Sequence, residues 1–67
     1  MIWALKNLAT KRFVSYRRGK RYFCASILKA EKFTSRENAE IARIQVKERT
    51  GVSVEIVAVV GELEAVG

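Results

Sequence analysis

Apolar residues follow two rhythms along this chain. Ile2 to Lys6 opens with a short apolar run, and Arg12 to Tyr16 and Arg21 to Ala25 set apolar side chains between basic and aromatic ones. Val52 to Ile56 alternates cleanly, and the run stays apolar through Val60. Such period-two patterns predict strands. Asn7 to Lys11 suits a first turn and Arg17-Arg18-Gly19-Lys20 a second, with Gly19 the residue free to take positive φ. Three strands joined by two tight turns form an antiparallel meander.

The rhythm then lengthens. Ile27, Ala30 and Phe33 stand at three-residue spacing and predict a turn or two of helix. Thr34-Ser35-Arg36-Glu37 reads as a capping box, in which the Thr34 hydroxyl accepts from the Glu37 amide and the Glu37 carboxylate accepts from the Thr34 amide. The main helix is expected from Ser35 to Thr50, ended by Gly51 in the left-handed conformation. At 100° per residue Ala39, Ala42 and Val46 share one narrow stripe, while Ile41 and Ile44 fall on the far side beside Glu37 and Glu48. Either a broad core stripe reaches one of these isoleucines, or the pair forms a subunit or partner contact.

The expected fold is therefore α+β: a three-stranded antiparallel meander, a short helical connection, one main helix packed on the sheet, and a C-terminal fourth strand. Residues 1–60 form one domain, and residues 61–67 a flexible tail whose Leu63 and Val66 are available to dock on a neighbour or to cover Val57 and Val59.

Length changes the picture by limiting the core. A chain of 67 residues buries only roughly 60% of the surface it exposes unfolded, and such domains usually recruit a disulfide, a metal or a second subunit. Cys24 is the single cysteine and histidine is absent, which excludes an intrachain bridge and disfavours a zinc site. Oligomerisation remains, most simply a two-fold dimer through Ile41, Ile44, Val57 and Val59. The N-terminal apolar stretch is too short for a signal peptide or a membrane span, so a cytoplasmic protein with no membrane partner is expected.

Charge adds direction. The net charge is +6, but Met1 to Lys32 holds nine Lys or Arg to one acid, and Phe33 to Gly67 four to six. Such polarity points to an anionic partner for the first half or to head-to-tail self-association. Aspartate is absent, and the four glycines stand far apart, so neither a catalytic constellation nor a phosphate loop is formed. No enzyme activity, cofactor, metal or small-molecule substrate is expected. The positive signal is Lys11 to Tyr22, where Lys11, Arg12, Arg17, Arg18, Lys20 and Arg21 alternate with Phe13, Tyr16 and Tyr22. Cations suit phosphates and tyrosines stack on bases, so Lys11, Arg12, Tyr16, Arg17, Arg18, Lys20, Arg21 and Tyr22 are the candidate contacts to nucleic acid or to an acidic protein surface. The same composition serves solubility and protects a sheet edge from aggregation.

Four segments, Ile2 to Asn7, Phe13 to Tyr16, Ala30 to Glu40 and Thr50 to Ile56, resemble small accessory proteins encoded by phages and prophages. Some of these block host defence complexes, CRISPR systems among them, and the resemblance implies that role as an alternative to nucleic-acid binding. Val14 to Thr50, with Phe33-Thr34-Ser35-Arg36-Glu37-Asn38-Ala39 opening its helix, is similar to the arm-site DNA-binding domains of phage integrases. That resemblance implies a sheet face on DNA, with Arg12, Tyr16, Arg18 and Lys20 at the interface. This chain differs in its added C-terminal strand and in carrying no recombinase domain.

Overall fold

The alternating segments pair into one antiparallel sheet. The structure, a computed structural model, describes residues 1–60 and the backbone of 64–66. Strands β1 (Ile2–Asn7), β2 (Arg12–Arg17) and β3 (Lys20–Cys24) form the meander, helix α1 spans Arg36–Thr50, and β4 (Glu55–Val60) returns beside β1. A short β5 (Glu64–Val66) pairs with β4, giving the order β3-β2-β1-β4-β5. The α+β architecture is the expected one, with two adjustments near the C-terminus. Val52–Val54 approaches the sheet without pairing, so the fourth strand begins at Glu55. Part of the expected tail is a strand, because β4 would otherwise present an unpaired edge. Leu63 lies outside the described residues.

The segment expected to be a short helix is a turn followed by an extended wedge. β1 and β2 pair only at Lys6↔Phe13 and Asn7↔Arg12 and then diverge. The chain between β3 and α1 enters the gap: Trp3 and Phe33 exchange two backbone hydrogen bonds of 2.8 Å, and the Glu31 amide donates to the Val14 carbonyl at 3.0 Å. Backbone committed to two flanking strands cannot also close helical hydrogen bonds. Only a tight turn precedes it, with the Ala30 amide donating to the Ile27 carbonyl at 3.2 Å. The Lys32 ammonium closes that turn, donating to the carbonyls of Ile27 at 2.6 Å and Ala30 at 2.8 Å.

The helix covers one face of the sheet and the turn covers part of the other. On one, Leu5, Val14, Phe33 and Val54 pack against Ala39, Ala42 and Val46 of α1, the stripe expected from the sequence. On the other, Ile27 and Ala30 of the turn close over Ala4, Phe13 and Val57. Val57 is 1% exposed, so it offers no subunit interface; the chain's own turn covers it. The helix begins one residue later than expected. Ser35 is the N-cap and its hydroxyl accepts from the Asn38 amide, which leaves Thr34 outside the cap and replaces the predicted Thr34–Glu37 box. Gly51 ends the helix at φ 74°, its amide donating to the Lys47 carbonyl at 2.9 Å.

Candidate functional site

The β2–β3 hairpin is closed by two residues between the pair Arg17↔Lys20. Arg18 at φ 53° and Gly19 at φ 78° both take positive φ, as a type I′ turn requires. Glycine does this freely, whereas a left-handed arginine costs about 1–2 kcal/mol. The β1–β2 turn repeats the pattern with Lys11 at φ 62°. That turn is fastened by Asn7 Oδ1 accepting from the Ala9 amide at 3.0 Å and by the Lys11 amide donating to the Asn7 carbonyl at 2.8 Å. A cation therefore stands at a strained position in each turn.

The candidate residues divide into two groups. Lys11 and Arg12 lie at one end of β2, and Arg17, Arg18 and Lys20 at the other, about 20 Å away at the rise of a strand. Alternation then sorts the hairpin by face. Arg17, Lys20 and Tyr22 project on the side away from α1, where the turn residue Lys29 joins them. With Arg18, Arg21 and Cys24 they border an open depression of about 790 Å³. Arg17, Lys20, Tyr22 and Lys29 are all exposed. Lys29 was not among the residues singled out from sequence, because only the wedge brings its turn against β2, where the Ser15 hydroxyl donates to the Lys29 carbonyl.

Tyr16 and Arg21 point to the helix side. Arg21 Nε donates to Glu31 Oε1 at 3.2 Å and Nη1 to Gln45 Oε1 at 2.9 Å, and the guanidinium lies 5.5 Å from the centre of the Tyr16 ring. Arg21 thus ties the hairpin to the wedge and the helix while also bordering the open depression. Behind it, Gly19, Lys20, Gln45, Arg49 and Thr50 line a smaller cleft of about 230 Å³.

Of the expected subunit contacts, Ile41 and Ile44 are exposed at 51% and 47%. Val59 is half-buried against the Ile27 cluster. Beside the isoleucines, Arg43 donates to Glu40, a hydrogen bond that holds the Glu40 carboxyl below its ordinary value and raises the Arg43 guanidinium. Cys24 is partly buried, and its thiol donates to the Ser26 carbonyl at 3.3 Å. Among the described residues no group of acids and cysteines is placed to hold a metal ion, and no helix is long and apolar enough to cross a membrane. These features define a small α+β domain with one open, cation-rich sheet face. No protein-family model, curated protein or solved structure matches the chain, so a functional reading rests on this geometry.

Proposed function

We propose that this chain is a non-enzymatic accessory domain, of the phage type its sequence resembles, that binds nucleic acid through the open sheet face. The observation that carries the reading is the convergence of Arg17, Arg18, Lys20 and Lys29 around Tyr22 on one accessible surface. Four cations neutralise phosphates and release their counterions, while an exposed tyrosine face accepts an unpaired base. Arg18 supports the reading further, since strain retained at a turn tip is a cost that folding alone does not require. Lys11 and Arg12 extend the positive surface toward the opposite end of β2.

The test is a gel-shift series with single- and double-stranded DNA and RNA. With four phosphates neutralised, log K falls against log salt with a slope of about −3 for single strands and about −3.5 for duplex. Arg17→Ser/Lys20→Ser/Lys29→Ser removes most of the affinity, as all three side chains are exposed and their loss leaves the core intact. Absence of binding to all these nucleic acids at 50 mM salt overturns the proposal. So does a stoichiometric protein partner that is recovered from nuclease-treated bacterial lysate and is released by the same triple substitution.

A further inference from the structure

The outermost stripe of α1 has a pattern of its own. Glu37, Ile41, Ile44 and Glu48 lie diametrically opposite the buried Ala39, Ala42 and Val46 at 100° per residue. Both isoleucines are about half exposed, and no element among the described residues covers them. The four helical cations are drawn toward the flanks: Arg36 sits 5.2 Å from the centre of the Trp3 ring, Arg43 bonds Glu40, Lys47 donates to the Gly51 carbonyl at 3.2 Å, and Arg49 borders the cleft beside Gly19. What remains outward is an apolar centre with a carboxylate at each end, about 16 Å apart at 1.5 Å per residue.

This charge pattern opposes the symmetric pairing expected from sequence. An antiparallel two-fold pair centred between Ile41 and Ile44 sets Glu37 against the Glu48 of the second copy, twice over. A parallel pair sets each glutamate against itself. Like charges facing one another select against both arrangements.

The complement of the stripe lies on the opposite face of the same molecule. There the surface is concave, and Arg17, Lys20 and Lys29 surround Tyr22. We infer that the α1 ridge of one copy seats in the basic depression of another. The two isoleucines lie on Tyr22 and the lysine stems, and Glu37 and Glu48 meet the cations. Because donor ridge and acceptor depression occupy opposite faces of the sheet, each added copy leaves both surfaces open, and association proceeds as an open head-to-tail stack. Two half-exposed isoleucines supply little apolar area, so the contact is weak, rapidly reversible and salt-sensitive. It draws on the same cations as nucleic acid and therefore competes with it.

Sedimentation velocity on nuclease-treated protein, from 10 µM to 1 mM, tests this. In 20 mM salt the average mass rises with concentration beyond that of a dimer, and in 500 mM salt it returns toward 7.6 kDa. Two variants define the surfaces, one Glu37→Gln/Ile41→Ser/Ile44→Ser/Glu48→Gln and the other Arg17→Ser/Lys20→Ser/Lys29→Ser. Every substituted side chain is exposed, and circular dichroism confirms the fold of each variant. Alone, each sediments as a monomer; mixed, they form a one-to-one dimer that grows no further, since only one intact ridge and one intact depression remain. A wild-type mass that stays at the monomer, or saturates at a dimer, overturns the inference, as does a mixture that fails to pair. The helix variant keeps its nucleic-acid affinity in gel shifts because the basic face is untouched, so failure of stacking and failure of nucleic-acid binding are read separately.

Discussion

Arg18 carries the cost of the hairpin tip. Its φ of 53° suits asparagine or glycine better than arginine, and Asn-Gly is the preferred pair for a type I′ turn. Arg18→Asn is therefore expected to stabilise the domain by about 1 kcal/mol, raising the melting temperature by roughly 4–8 °C for a chain of this size, while weakening nucleic-acid binding. Thermal melts and gel shifts on the same preparation check both halves. A variant that gains stability and loses no affinity shows that the Arg18 charge is not used. At this scale the sequence was partly legible. The glycine of Arg17-Arg18-Gly19-Lys20 announced the turn, but the basic residues looked equivalent. What separates Arg21 from Arg17 is the direction of projection from β3 and β2, together with Glu31 and Gln45, which come from elsewhere in the chain to meet Arg21.

At the scale of elements, the turn and wedge from Ser26 to Phe33 do the work that a helical connection was expected to do. They cover part of the second face of the sheet with Ile27 and Ala30 and fill the gap between β1 and β2. Lys32 closes the turn by donating to its carbonyls. Lys32→Met keeps the stem and removes the donors, leaving partly buried carbonyls without their charged partner, at a cost of about 1–3 kcal/mol. Lys29→Met, at an exposed side chain, changes stability little. Urea denaturation of the two variants distinguishes them, and equal midpoints would show that the Lys32 bonds do not hold the turn. Three-residue spacing of Ile27, Ala30 and Phe33 suggested helix because buried turn residues and a helical stripe share that spacing. Length alone favours neither in so short a segment. The competing partners are the backbone groups of Trp3 and Val14, which no local pattern reveals.

For the whole molecule, the basic depression and the helix ridge lie on opposite sides of one sheet, and the fold's small core makes its stability responsive to whatever binds. A ligand held only by the folded state stabilises by about 2.7 kcal/mol at a hundred times its Kd. An oligonucleotide at that excess is therefore expected to raise the melting temperature in 50 mM salt and to leave it unchanged in 500 mM salt. A shift that survives high salt would mean that phosphate contacts are not the source. The sequence by itself determined the strands of the meander, the helix with its Ala39, Ala42 and Val46 stripe, the glycine that ends it and the returning strand, because each follows from local periodicity or turn chemistry. Only the tertiary structure decided that Val57 is covered from within, that Arg21 pairs with Glu31 and Gln45 and that Lys29 joins the open basic face. Each of these depends on the divergence of β1 and β2, a packing event between residues distant in sequence, and periodicity records only which side chains share a face, never what lies opposite them.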